Sequence, residues 1–433
     1  MKRNLCAMMV LGACPAGAWA QADLILYAFD QLDDHLVRMV DNNGDGDFHD
    51  PGEATIFIDD DLLDLGIDNA QGLVVLGPDD ILITDNFDPD NIVRATDLNG
   101  DGDAMDSGER YVWFDGFLPA PLGLRMTNPA ELKRGPDGRF YLLDNNTLDT
   151  TRPEAIYALE DMNNDGVISG TEVTLLYELS PVGVSATTTF DLEFLPTGEV
   201  IVFNITDPNS IESIDVAATN GIDREWITSV QMLQLSGTVF DIYELARNPD
   251  TEEILVATDF GGALNVAICA LSDINGSGFI DASFEVRRIW SETTNLDGVM
   301  GGFPRDLAYV PEDRSILWTD ALADQIVRIR DVDNDGFYDA AGESAVVFSD
   351  AVGQTNGLPR LSLPLSIAYA IRPEGCAADW DNSGGQPNSS DFLAYLNDWS
   401  AQEPRADLVP PGGNGVWDSS DFLAYLNLYS QGC

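Results

Sequence analysis

Lysine is almost missing from this chain. Only Lys2 and Lys133 occur in 433 residues, and 21 basic residues stand against 74 acidic ones, for a formal net charge of −53. Such a surface repels phosphate backbones and anionic headgroups, so nucleic acid and acidic membrane are excluded as partners. It fits a saline medium or a protein with many cation sites. Histidine is as scarce, with His35 and His49 the only two, which leaves little for imidazole metal centres or proton relays. There is no G-x-S-x-G, no H-E-x-x-H and no phosphate loop. Beyond the N-terminus no apolar run approaches the ~18 residues of a spanning helix. The 44% hydrophobic content excludes disorder, and the length implies two or more domains.

Residues 1–20 read as a signal peptide. Lys2 and Arg3 give a positive start, Leu5 to Ala13 an apolar run, and Ala18-Trp19-Ala20 a cleavage site before Gln21. "LGAC" at 11–14 offers a lipoprotein alternative anchored at Cys14. Either route exports the protein, to a secreted or cell-surface location. Export leaves Cys269, Cys376 and Cys433, and an oxidising compartment permits one bridge among them.

The chain is rich in repetition. Acidic loops begin at Asp41, Asp97, Asp161, Asp273 and Asp331, with gaps of 56, 64, 112 and 58 residues. The 112 is two periods, and "SIESIDVAATNGIDREW" near Asp215 fills it with a degenerate copy. D-x-[DN]-x-[DN]-G is the start of an EF-hand-type calcium loop: oxygens at positions 1, 3 and 5, a Gly turn at 6, a carbonyl at 7 and an acid near 12. The candidate ligands are Asp41, Asn43, Asp45, Asp47 and Glu53; Asp97, Asn99, Asp101, Asp103 and Glu109; Asp161, Asn163, Asp165, Val167 and Glu172; Asp273, Asn275, Ser277 and Glu285; and Asp331, Asp333, Asp335, Phe337 and Glu343. Glu172 falls at position 12, the other four Glu at 13, so one residue must bulge or another acid such as Asp50 or Asp106 must close the shell. Hard oxygen donors point to Ca2+ rather than zinc or copper, and extracellular calcium modules suit a structural role. The fourth copy should hold none.

Each loop follows a β-type run such as "HLVRMVD" or "QIVRIRD", and upstream lie "DILITD", "RFYLLD" and "SILWTD". An inner run precedes these and a fourth strand follows the loop. Cys269 falls in an apolar column with Val37, Val93, Tyr157, Ile211 and Val327, the place of a buried core thiol. Four short strands per unit at a fixed period mark a β-propeller. The mature chain opens on a second-strand segment, "LILYAFD", and its missing first strand recurs as "PLSIAYA" at 364–370. The expectation is an all-β six-bladed propeller over 21–371, its ring closed by a C-terminal strand. "ILWTD" and "ILITD" resemble the repeats of YWTD and NHL-type six-bladed propellers, a class that includes receptors, scaffolds, lactonases and sugar dehydrogenases. In the YWTD family the strand-end Asp bonds backbone amides, which implies a structural role for Asp85, Asp144, Asp259 and Asp320. Sugar dehydrogenases of this fold use a channel His; neither His35 nor His49 is well placed for it.

The residue before the inner-strand Leu is Glu131, Asp191, Glu244 or Asp306 in four units. These carboxylates should converge on the mouth opposite the acidic loops, and they are the candidates for catalysis. Regucalcin- and gluconolactonase-like propellers hold a catalytic divalent metal in such a place, but no spacing here singles out their ligands.

After a linker at 372–375 the character changes. "SSDFLAYLN" occurs twice, 30 residues apart. Phe392, Tyr395, Leu396 and Trp399 form one helical stripe, Ser389 can cap the helix, and Asp391 suits its positive end. Asp379, Asp381, Ser383 and Asp391 form a further calcium-loop start. The duplicated loop–helix module over 376–433, bracketed by Cys376 and Cys433, resembles a GC-type dockerin-like domain. That resemblance implies a Cys376–Cys433 disulfide, and contacts from Ser389, Ser390, Ser419 and Ser420 to a cohesin-like or cell-surface anchoring partner; helix capping is the plainer role for the serines. The sequence favours a non-catalytic binding or display role toward a glycan or small molecule. The alternative is an anchored carbohydrate- or lactone-acting hydrolase using the carboxylate-lined mouth.

Overall fold

The computed structural model describes residues 23–60, 67, 69–86, 90–118, 123, 125–145, 154–180, 191–204, 210–217, 223–228, 230–231, 234, 241–259, 266–372, 380, 388–402, 406, 408, 416–417 and 419–431. Branched and aromatic runs punctuated by Asp-Gly turns give short strands rather than helices. They assemble into six four-stranded antiparallel sheets, a six-bladed propeller.

Blade 1 holds Asp23–Asp30 (β1), His35–Val40 (β2) and Ala54–Asp59 (β3). Blade 2 is Ala70–Gly77 (β4), Asp80–Asp85 (β5), Asn91–Thr96 (β6) and Arg110–Phe114 (β7). Blade 3 is Pro129–Arg134 (β8), Phe140–Asp144 (β9), Glu154–Leu159 (β10) and Val173–Ser180 (β11). Blade 4 is Leu192–Phe194 (β12), Val200–Asn204 (β13), Ser210–Ile214 (β14) and Asp223–Thr228 (β15). Blade 5 is Asp241–Asn248 (β16), Glu253–Asp259 (β17), Ala267–Leu271 (β18) and Val286–Ser291 (β19). Blade 6 is Pro304–Val310 (β20), Ser315–Asp320 (β21), Gln325–Arg330 (β22) and Ser344–Ser349 (β23). A short helix, Asp350–Asn356 (α1), leads toward Pro364–Arg372 (β24). β24 pairs antiparallel with β1, Leu26 opposite Tyr369 and Ala28 opposite Ile367, as the innermost, first strand of blade 1.

The first strands of the blades lie side by side around one axis: β24 packs beside β4, β4 beside β8, β8 beside β12, β12 beside β16, β16 beside β20, and β20 beside β24. The apolar core is divided between blades. Tyr27 and Phe57 of blade 1 pack with Ile81 and Ile83 of blade 2, and Trp290 of blade 5 meets Trp318 of blade 6 at 5.4 Å. Cys269 is buried in the core shared by blades 4 and 5, as its apolar column implies.

Near the C-terminus lie two helices, Ser389–Ala401 (α2) and Ser419–Gln431 (α3). Their cap differs from expectation. Asn388, not Ser389, is the N-cap: its side chain accepts from Ser390 N at 2.7 Å, while Asp391 Oδ2 accepts from Asn388 N at 2.8 Å. Asn388 is extended, so its oxygen reaches the free amides of the first turn, whereas Ser389 is already helical. Equivalent residues of the duplicated segment face each other. Tyr395 stacks on Tyr425 at 4.0 Å, Phe392 lies 6.3 Å from Phe422, and Trp380 meets both tyrosines edge-on. No helix among the described residues is long and apolar enough to cross a membrane.

Candidate functional site

Five of the six innermost strands slip register where the central residue stands: around Gly72, Glu131, Glu244, Asp306 and Ser366. Such β-bulges re-aim a side chain. Together with Asp191, just before β12, these positions precede the inner-strand Leu or Ile of every blade and form one tier around the axis. Gly72 fills blade 2's place because a Cβ there would lie 2.8 Å from Leu132 N and 3.2 Å from Glu131 Cα. By strand alternation a second tier follows two residues on: Val74, Lys133, Glu193, Ala246, Ala308 and Ala368.

Glu131, Asp191, Glu244 and Asp306, singled out from the sequence, are thus brought together and buried. Asp191 Oδ2 accepts from Leu245 N of the next blade at 2.7 Å, and Asp306 Oδ2 from Ile367 N at 2.6 Å. Burial, reinforced by Asp191 and Asp306, pushes Glu131 and Glu244 well above the usual carboxylate range, although Lys133 pulls on the first and Arg305 on the second. Burial raises Asp306 to about 7 against the pull of Lys133. Lys133, not among the sequence candidates, joins them: its Nζ lies 3.8 Å from Glu131 Oε1 and 3.7 Å from Asp191 Oδ1. The signal was present: it is the one lysine after residue 20, two places beyond Glu131 on the same strand face.

Above this tier opens a cavity of about 210 Å³, lined among others by Gln71, Glu131, Tyr243, Glu244, Phe303 and Arg305. Tyr243 and Phe303 meet edge to face at 4.8 Å, and the Arg305 guanidinium sits 5.4 Å from the Phe303 ring. Aromatic walls, carboxyls, an amide and a guanidinium suit a small polyhydroxylated molecule; the volume lies below the ~300–1,000 Å³ of drug-sized ligands.

The strand-end aspartates brace the entries to the inner strands. Asp144 Oδ1 accepts from Thr127 N (3.1 Å) and Asn128 N (2.9 Å), Asp320 from Gly302 N (2.7 Å) and Phe303 N (3.0 Å), Asp85 from Asn69 N (3.3 Å) and Asp30 from Ser362 N (2.8 Å). The Asp259 side chain lies outside the described residues. His35 contacts Arg360 O at 3.0 Å, and His49 accepts from Ser349 N at 3.0 Å while stacking on Phe348; neither lines the cavity.

The five acidic loops join the third and fourth strands of blades 1, 2, 3, 5 and 6 with one bonding pattern. The Gly at position 6 donates to the first Asp: Gly46 N to Asp41 Oδ2 at 2.9 Å, Gly102 to Asp97 at 2.8 Å, Gly166 to Asp161 at 2.9 Å, Gly278 to Asp273 at 2.7 Å and Gly336 to Asp331 at 2.9 Å. These glycines have φ between 83° and 98°, where a Cβ is strained. Glu53, Glu109, Glu172, Glu285 and Glu343 are buried, each bridging backbone amides at the two ends of its loop, as Glu343 does for Val332 N (2.9 Å) and Ala340 N (2.8 Å). Glu172 makes the matching bonds to Met162 N and Ser169 N, so the extra residue of the longer loops is absorbed before the Glu. Asn43 Nδ2 reaches Asp45 and Asp50, and Asn99 Nδ2 reaches Asp101 and Asp106, which places those position-10 acids beside the candidate shells. Carboxylate oxygens of Asp331, Asp333 and Asp335 lie within 4.8 Å of one another, a donor set that fits a hard divalent cation. The eighth residue of every loop donates its N–H to the outer strand of the preceding blade: Phe48 to Val347 O (2.9 Å), Ala104 to Phe57 O (2.8 Å), Ile168 to Trp113 O (2.7 Å), Ile280 to Trp226 O (3.0 Å) and Tyr338 to Ile289 O (2.8 Å).

In the C-terminal module Asp391 and Asp421 are buried, while Ser389, Ser390, Ser419 and Ser420 are exposed. Asp379, Asp381, Ser383, Cys376 and Cys433 lie outside the described residues.

No family model matches the chain, and no curated protein matches it. Among solved structures it is similar to a chain of the nidogen/laminin complex (11% identity over 80% of this chain and 98% of that one, TM-score 0.49). It is also similar to a gluconolactonase from Xanthomonas campestris (12%, 62% and 71%, 0.37) and an auxiliary nutrient binding protein from Bacteroides ovatus (11%, 75% and 65%, 0.42). With TM-scores below 0.5 these likenesses carry no argument, and the propeller rests on its own strand pairing.

Proposed function

We propose that this chain is an exported propeller, stapled by calcium, that binds a small polyhydroxylated ligand in its axial mouth and is displayed on a cell surface or multiprotein complex through a dockerin-like C-terminal module. The observation that carries the staple is the repeated bond from loop position 8 to the preceding blade. A cation that fixes such a loop fixes two blades against each other. Ca2+ supplies the positive charge that gathers the first, third and fifth side chains of each loop, and Asp50 and Asp106 stand beside the first two shells. β24, as the innermost strand of blade 1, serves as the latch that closes the ring and completes that blade's four strands. In the tail, the face-to-face duplicate helices support two symmetric docking surfaces built on Ser389/Ser390 and Ser419/Ser420, with Cys376–Cys433 as the bridge that ties the module's ends.

One feature favours hydrolysis as a second reading. Glu131 and Glu244, raised by burial and acidic neighbours, are shifted in the direction that a general acid needs. Calorimetric and product screening of the full chain against sugars and lactones separates the two. Saturable binding without turnover supports the display role, turnover abolished by Glu131→Gln or Glu244→Gln supports the hydrolase, and neither binding nor turnover overturns both.

A further inference from the structure

Carboxylates crowded on a propeller axis repel one another unless a cation sits among them. The upper tier brings four together, and the cation is already on the chain. Lys133 rises from the lower tier, where its neighbours around the axis are Val74, Glu193 and the small Ala246, Ala308 and Ala368. These alanines are small neighbours for its stem. Its Nζ stands 3.8 Å from Glu131 Oε1 and 3.7 Å from Asp191 Oδ1. Asp191 is fully buried, and its Oδ1 accepts no hydrogen bond among the described residues. Its other oxygen holds the next blade. Glu244 also hydrogen-bonds the Asp191 carboxyl, and a buried carboxylate facing a lone ammonium is the arrangement of an ion and its counter-ion.

We propose that Lys133 is the built-in counter-cation of the channel, standing where a divalent metal would otherwise sit and making the upper tier a metal-independent site. The groups facing it are Glu131 on its own strand, Asp191 and Glu193 of blade 4 and Asp306 of blade 6, while Glu244 of blade 5 and Arg305, a second positive group, line the cavity. Burial works to lower the Lys133 ammonium, but Asp191, Glu131 and Glu193 outweigh it and hold it well above the ordinary lysine value. A chain that discards nearly every lysine yet keeps one at its axis is consistent with that use. The inference is independent of whether the mouth binds or hydrolyses its ligand.

The test counts calcium. In the full chain at saturating CaCl2, equilibrium dialysis with metal analysis is expected to find one more Ca2+ per chain in folded Lys133→Met than in the wild type, and no extra ion in Lys133→Arg. Equal counts in wild type and Lys133→Met overturn the proposal. Should Lys133→Met fail to fold, NMR of wild-type protein with isotope-labelled lysine decides. Lys133 is expected to stay fully charged at pH ~10.4, the ordinary lysine midpoint; a midpoint at or below that value overturns the counter-ion role.

Discussion

Asp306 shows how much of the axis is governed by protons. In the fold its pKa is about 7, raised chiefly by burial; in the unfolded chain it is ~3.9. The folded state therefore holds a proton that the unfolded state releases. That contribution is complete below about pH 4 and lost as pH rises through 7. Asp306→Asn keeps an acceptor for Ile367 N but cannot ionise. Relative to wild type it is expected to gain of order 1–3 kcal/mol between pH 4 and 8, read from thermal melts in saturating calcium; parallel profiles would rule this out. The four channel acids were legible because each precedes an inner-strand Leu. Lys133 gains meaning only beside the acids that share its strand face, and its immediate sequence neighbours do not mark it. The bulges were illegible, since they depend on pairing to a neighbouring strand.

A single loop separates two kinds of acid. Asp333 stands in the candidate calcium shell, whereas Glu343 is buried and bridges Val332 N and Ala340 N. Asp333→Ala, which removes the position-3 oxygen, is expected to bind one calcium fewer and to melt about 3–8 °C lower in calcium, converging with wild type after chelation. Glu343→Ala leaves the amides of Val332, Asp333 and Ala340 without their acceptor and is expected to cost about 2–4 kcal/mol whether or not calcium is present. Identical calcium dependence of the two variants would refute the division of roles. The spacing of first Asp, Gly and Glu made these loops visible in the sequence. It could not show that the Glu braces the loop, or that position 8 reaches across to another blade, because both depend on which amides the folded chain leaves open. At α2 the same limit applied: Asn388 and Ser389 are both capping residues by type, and only backbone conformation chose Asn388.

For the whole molecule, blade 1 is built from both ends of the propeller. β24 contributes the buried Leu365, Ile367, Ala368 and Ala370, so truncation after residue 363 is expected to abolish cooperative folding. Truncation after residue 372 should leave the propeller's melt within a few degrees, and a comparable loss in both would show that the helical module supports the ring. The six-fold repeat made this architecture readable, down to the shared blade. The ligand is not encoded in any one repeat, because the cavity draws residues from all six blades. Most directly decisive is the melting temperature of the full chain in saturating calcium, after chelation, and after calcium is restored. With five loops each tying two blades, the expected result is a fall of more than ~10 °C on chelation and full recovery. One melting temperature under all three conditions would contradict the calcium staple.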